Sequence, residues 1–284
     1  VLGDFSDFFC IDHYTNILTV CAADFTFMHR SLHKRRAMNN DLVGKRALVT
    51  GGSRGIGAAI ALALAEEGAD VALTFQNSAE RAQAVVASIE KLGRRGVAIK
   101  ADIADPAAIR RSVDEAVGAL GGLDILVNNA AIARYNTIAD FDLADIDALL
   151  AVNIRGPILA TQAAIPHIKA GGRIITIGSA GADRIVGAAG TVYYMTKSAL
   201  QSFTRGLAQE LGPKDITANL VQPGSTDTEM NPANGESADF QRSLAPLGRF
   251  AAPADIAAAV TFLASPAARH VTGTILTVDG GLLT

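Results

Sequence analysis

Tyr193 and Lys197 stand four residues apart, and Ser179 precedes the tyrosine by fourteen. A phenol can give its proton to an oxygen on which negative charge builds, and an ammonium at i+4 shares its helix face. The ordinary pKa of a phenol, about 10, is too high for ready exchange near neutrality, and the charge of Lys197 is expected to lower it. Ser179 follows Ile177-Gly178 at what reads as a strand end, where its hydroxyl would hold a carbonyl oxygen beside Tyr193. Tyr194, one residue out of phase, is expected to face into packing. This set suits the reduction of a carbonyl, in which carbon takes a hydride and oxygen a proton.

The hydride needs a carrier, and the run Thr50-Gly51-Gly52-Ser53-Arg54-Gly55-Ile56-Gly57 offers a place for one. Glycines at 51, 55 and 57 let the chain turn tightly against a pyrophosphate, while the following helix aims its N-terminus at the anion. The turn as a whole, with Ser53, Arg54 and Ile56, is the expected dinucleotide contact. Its spacing is Gly-x-x-x-Gly-x-Gly, not the commoner Gly-x-Gly-x-x-Gly. An acid about 20 residues past the glycines would hold the ribose hydroxyls of NAD. Thr74-Phe75-Gln76-Asn77-Ser78 stands there instead, with no carboxylate to repel a 2′-phosphate and with Arg54 to attract one. NADP(H) is the expected cofactor.

These residues need a frame. From Arg46 onward, short apolar runs alternate with alanine-rich segments of helical period: 47–49, 71–73, 97–99, 125–127, 174–177, 218–221 and 275–278 read as seven strands. Apolar runs without polar alternation suit strands covered on both faces, and helices between them allow right-handed crossovers. The expected fold class is α/β, a Rossmann-type doubly wound parallel sheet of seven strands in a single domain spanning 41–284. The stretch from Ser225 to Pro246 breaks the pattern with Pro232, Asn234, Gly235 and Ser237, and reads as a long loop bounding a ligand.

Bulk properties narrow the function. With 284 residues, 49% of them apolar, the chain can bury one large core, and a net charge of −3 with signs interspersed gives no footprint for a nucleic acid polymer. No uninterrupted apolar run reaches the roughly 18 residues of a membrane span. Cys10 and Cys21 are too few for a disulfide framework, and the five scattered histidines, His13, His29, His33, His167 and His270, have no partners at ligand spacing, so no metal is expected. A cytoplasmic location fits this cysteine usage. Residues 1–40 differ in composition and read as a dispensable N-terminal extension; Met38 would make a natural start, and basic residues follow the short apolar stretch, the reverse of a secretory signal.

The ordered motifs resemble the short-chain dehydrogenase/reductase family, of the kind typified by 3-oxoacyl-(acyl-carrier-protein) reductases. The likeness runs from Leu42 to the C-terminus through Thr50–Gly57, Asp102, Asn128-Asn129-Ala130-Ala131, Asn153, Ser179, Tyr193 to Lys197, Pro223-Gly224 with Thr228, and Val278-Asp279-Gly280-Gly281. The resemblance implies that Tyr193 is the general acid and base and that Ser179 orients the carbonyl. It also implies that Lys197 holds the nicotinamide ribose and that Asn153 positions a relay water. Asp102 and Ile103 would border the adenine, Asn129 the adenosine, and Pro223, Gly224, Thr226 and Thr228 the nicotinamide side. Three departures stand out: Ala131 for a usual glycine, Ser225-Thr226 for a bulkier apolar pair, and one extra residue between Ser179 and Tyr193.

The family further implies a homotetramer and a small carbonyl substrate, bounded by Ala180, Asp183 and the segment after Ser225. A basic patch for an acyl-carrier protein is absent, so a ketone or aldehyde competes with a 3-oxoacyl thioester. Two other readings share the frame. One is an NAD-dependent alcohol dehydrogenase. The other is a regulatory protein that binds cyclic-di-GMP, since Asn231-Pro232-Ala233-Asn234-Gly235 and Gly181-Ala182-Asp183-Arg184 are similar to members described so; it requires Arg184 to face the pocket.

Overall fold

The computed structural model describes residues 40–284. The extension expected at 1–40, with both cysteines and three of the histidines, lies outside the described residues save for Asn40.

All seven expected strands form: β1 (Arg46–Val49), β2 (Asp70–Phe75), β3 (Gly96–Lys100), β4 (Leu123–Asn128), β5 (Ile168–Ile177), β6 (Thr217–Pro223) and β7 (Ile275–Val278). They pair in parallel in the order β3-β2-β1-β4-β5-β6-β7. The intervening helices are α1 (Gly55–Glu66), α2 (Ala79–Lys91), α3 (Pro106–Leu120), α4 (Leu143–Leu150), α5 (Gly156–Ala164), α6 (Thr191–Leu211), α7 (Ala238–Leu244) and α8 (Pro253–Ala264).

Side chains alternate across the pleat, so each strand feeds two cores. Ala47 and Val49 pack with Ile60 and Leu64 of α1, Val85 and Ile89 of α2, and Ile256 and Val260 of α8. Leu48, between them in sequence, joins Val113 of α3, Ala164 of α5 and Leu207 and Leu211 of α6 on the opposite face. Each large apolar side chain so buried contributes about 1.5–3 kcal/mol. These two layers explain why the strands read as unbroken apolar runs.

The chain winds outward from β1 through β2 to β3, then returns to lay β4 on the other side of β1. The crossovers therefore diverge between β1 and β4, and a crevice opens at the carboxyl ends of those strands. The glycine turn leaves β1 at that edge, Asn129 leaves β4, Ser179 follows β5, and Pro223-Gly224 closes β6.

Two local findings differ from the sequence reading. The segment 225–246 is not one long loop: it contains α7 and is tied by Gln241, which accepts from Ser225 Oγ (2.7 Å) and Asn231 Nδ2 (2.8 Å) and donates to Asn231 Oδ1 (2.9 Å) and Ser237 Oγ (2.9 Å). Leu143–His167 is also long and apolar enough to cross a membrane by length and composition alone. It carries Asp145, Asp147, Asn153 and Arg155, and its halves pack on α6 and α3 as elements of the sheet's cover.

Candidate active site

Tyr193 is the third residue of α6, and Lys197 lies one turn further into the same helix. The lysine is buried, and its Nζ donates to the Ile177 carbonyl at 3.0 Å, which pins the ammonium to the end of β5. Its nitrogen stands 6.0 Å from the centroid of the Tyr193 ring. Burial lowers its pKa from 10.5 to about 8. The ammonium is thus half-way to losing its proton in a mildly alkaline medium.

Tyr193 is only partly buried, and its ring lines the crevice. The rings of Tyr135 and Tyr194 flank it at 5.6 and 5.4 Å between centroids, tilted by 58° and 59°. Burial, with these two phenols, pushes the Tyr193 pKa up, while a hydrogen bond with Ser179 pulls it back in part. The sequence expectation was a lowered pKa. It fails in this arrangement because the ammonium is engaged by the Ile177 carbonyl and desolvation of the phenolate is the largest influence on Tyr193. Such a phenol keeps its proton, which is the state a donor requires.

Ser179 Oγ accepts from Gly181 N at 3.2 Å, so the hydroxyl that meets the phenol is oriented by its own turn. Tyr194, expected to face into packing, also borders the cleft beside Tyr193, while its hydroxyl donates to the Val186 carbonyl at 3.2 Å and its ring fills the space over Gly181 and Gly190. A Cβ at Gly181 would stand 2.0 Å from that ring.

Asn153 lies in a π-helical turn, Ala151–Arg155, between α4 and α5. Its side chain pairs with Ile132 as a backbone would, accepting from Ile132 N (3.0 Å) and donating to Ile132 O (2.9 Å). The other amide hydrogen goes to Thr196 Oγ1 (3.1 Å), which donates in turn to the Tyr193 carbonyl (2.6 Å). Asn153 therefore couples the chain after β4 to the helical turn that carries Tyr193.

At the other end of the crevice, Gly51 and Gly55 hold φ of +66° and +53°, a region costly to residues with a Cβ. Gly57 lies so close that a Cβ there would stand 2.3 Å from the Gly51 carbonyl oxygen and 2.5 Å from Asn129 Nδ2. Asn129 clamps the turn by donating to the Thr50 and Gly51 carbonyls at 2.9 and 3.1 Å. No side chain caps α1, and the first N–H groups of a helix have no acceptor within it. A backbone cradle with free donors at a helix N-terminus fits a pyrophosphate.

Between the two ends runs one cleft of about 1090 Å³, lined by Gly51, Ser53, Arg54, Gly55, Ile56 and Gly57 as well as by Ser179, Tyr193 and Lys197. Gln76, Asn77 and Ser78 after β2, Asp102 and Ile103 after β3, and Pro223, Gly224, Thr226 and Thr228 after β6 complete its walls. Asp102 fixes its own turn by accepting from Ala104 N at 2.8 Å. Arg54 faces the cleft but is not free: its Nη1 lies 2.9 Å from Glu229 Oε2, and Arg81 bonds the second oxygen of the same carboxylate.

The residues matched by the model of the family described as enoyl-(acyl carrier protein) reductase are 51–283, most of the chain. The chain belongs to the short-chain dehydrogenase/reductase family. It is 56% identical to a short chain dehydrogenase from Burkholderia cenocepacia solved in complex with NADP, with a TM-score of 0.85 over 86% of this chain and all of that one. It is 41% identical over 237 residues to the cyclic-di-GMP-binding biofilm dispersal mediator protein of Escherichia coli, covering 84% of this chain and 96% of that protein. A versicolorin reductase of Emericella nidulans is 40% identical over 256 residues, covering 86% and 97% of the two chains.

Within this short-chain dehydrogenase/reductase frame, every residue singled out for catalysis except Asn153 lines the cleft, and Asn153 abuts it through Ile132. Asp183 and Arg184 do not line it. Asp183 is engaged by Gln201 and Gln222 at 2.7 Å each, and Arg184 donates to the Leu282 carbonyl at 2.6 Å. Sequence reasoning did not find Tyr135, Thr196, Arg81 or Glu229. Thr196 sits within the Tyr193-to-Lys197 motif and was accessible to a check of which intervening side chain faces back along the helix. The other three depend on contacts far apart in the chain. Among the described residues, no cluster of three His, Cys, Asp or Glu side chains could hold a metal ion.

Proposed function

We propose that the protein is an NADPH-dependent carbonyl reductase whose proton donor is Tyr193. The observation that carries this reading is the meeting, in one cleft, of the Tyr193 phenol and the Ser179 hydroxyl with a glycine-lined helix N-terminus. NADPH, when bound, supplies the hydride that goes to the carbonyl carbon. Ser179 and Tyr193 hold the carbonyl oxygen, and the phenol gives it a proton as charge develops there. Lys197 keeps a positive charge near the resulting phenolate and offers donors to the nicotinamide ribose. Asn153 fixes the Tyr193 turn through Thr196 and supports the relay by which the phenol is reprotonated.

Selection of NADPH is supported by Arg54 in the glycine turn and by the lack of a carboxylate among residues 74–78 at the end of β2. Asn129, Asp102 and Ile103 face the adenosine half, and Pro223, Gly224, Thr226 and Thr228 the nicotinamide half. Near Tyr193 the cleft carries the apolar and aromatic side chains of Tyr135, Val186, Met230, Phe240, Leu244 and Leu282, with polar Asn231, Glu236 and Gln241 among them. This favours a ketone or aldehyde with an apolar or aromatic body over an acyl thioester. Exposed Leu143, Leu150 and Ile158 on α4 and α5, with Met195 on α6, support burial of these helices against a second copy in a homotetramer.

The deciding experiment is an assay of the purified full chain with NADPH and NADH against ketones, aldehydes and a 3-oxoacyl thioester. NADPH-dependent turnover of a ketone or aldehyde is expected, and binding of NADPH with no turnover of any carbonyl would defeat the proposal. The likeness to a cyclic-di-GMP-binding protein makes titration with that dinucleotide the companion measurement. The engagement of Arg184 by Leu282 weighs against that second reading.

A further inference from the structure

Glu229 carries one carboxylate oxygen to each of two arginines, Arg54 in the turn before α1 and Arg81 in the first turn of α2. The three side chains come from separate elements and remain half exposed, at 57%, 53% and 52% for Arg54, Arg81 and Glu229. Two guanidiniums converging on one carboxylate form a cradle for a planar or tetrahedral anion. Arg54 and Glu229 line the same cleft as Gln76, Asn77 and Ser78, the segment that faces a ribose in such a crevice, and Arg81 lies in the helix that starts directly after Ser78. Resting on the NADPH reading above, we propose that Arg81 joins Arg54 as the second cation recognising the 2′-phosphate. Glu229 fills the same cradle until that phosphate displaces it.

The exchange runs toward the phosphate for a simple reason. A carboxylate brings one negative charge and two oxygens, whereas a phosphate monoester brings nearly two charges and three acceptor oxygens. Exposed ion pairs are weak, so little opposes the replacement of one anion by the stronger. Both arginines hold Glu229 ionised, Arg81 foremost, as the lowered pKa of that acid indicates. Glu229 follows Thr228, whose methyl group faces Gly55, so the acid is carried into place by the segment that borders the glycine turn. The same carboxylate discriminates between cofactors: a ribose lacking the phosphate leaves Glu229 with its arginines and gains nothing from them.

Calorimetric titration of the full chain with adenosine 2′,5′-bisphosphate and with AMP tests this without turnover. The wild type is expected to prefer the bisphosphate. Arg81→Ala should reduce that preference by about tenfold, the scale of one charge-assisted hydrogen bond, and Arg81→Lys should restore part of it. Glu229→Gln should tighten the bisphosphate severalfold and leave AMP unchanged. An unaltered preference in Arg81→Ala, or equal losses for both probes, overturns the assignment of Arg81. A weaker bisphosphate complex in Glu229→Gln overturns the exchange. Equal binding of the two probes by the wild type overturns this inference together with the NADPH reading.

Discussion

The Lys197 ammonium donates to the Ile177 carbonyl at 3.0 Å while standing 6.0 Å from the centre of the Tyr193 ring. One buried cation thus joins β5 to α6 and sets the charge beside the phenol. Tyr193 itself is governed by desolvation, which favours its protonated form.

A pH dependence follows from the same contact. Lys197 has its pKa lowered to about 8 by burial, so its charge is present below that value and lost as pH rises through it. The kcat/KM for reduction should fall on an alkaline limb near pH 8. In Lys197→Arg that limb should vanish although the rate is lower, because a guanidinium keeps its proton. Stability moves in the opposite sense. Between about 8 and the ordinary 10.5 the unfolded chain binds more protons at this site, so unfolding free energy gains from Lys197 as pH rises. Rate profiles and denaturant melts over this range measure both, and an alkaline limb unchanged in Lys197→Arg would remove Lys197 as its origin.

Gly57→Ala should damage the cofactor end alone. The added methyl meets the Gly51 carbonyl at 2.3 Å and must open the clamp made by Asn129. A loss of about 1–3 kcal/mol of stability, typical of overpacking, should accompany weaker NADPH binding. Thermal unfolding and a cofactor titration read the two effects. Unchanged affinity would mean that the turn does not bear the pyrophosphate.

Asn153→Ala strands the Ile132 backbone groups and releases Thr196. Each buried group left unsatisfied costs about 1–3 kcal/mol. Turnover should drop along with the melting temperature, and NADPH affinity should change little. A variant as stable and as active as the wild type would show that the coupling from Asn153 to the Tyr193 turn is idle.

Much of this was legible before the structure. The strands are buried on both faces, so 47–49 and its counterparts carry an apolar signal that needs no tertiary knowledge. The Tyr193–Lys197 spacing and the glycine turn are local, and local geometry places them at the crevice. What escaped depended on distance or on competition between effects. The partner of Arg54 lies 175 residues away. Helix α7 is seven residues long, too short to stand out against the proline and glycine around it. Asp183 and Arg184 follow Ser179 closely, yet their side chains find partners on other elements. The sign of the Tyr193 shift could not be read from an i+4 lysine, since it turns on what else surrounds the phenol.

The central claim is that the Tyr193 hydroxyl delivers the proton. Its most direct test is Tyr193→Phe, assayed for turnover of the best carbonyl substrate beside an NADPH titration. The account predicts a fall in kcat of at least about 100-fold, the lower range for loss of a general acid, with NADPH affinity nearly intact. Turnover close to the wild-type rate in a variant that still binds NADPH would contradict it.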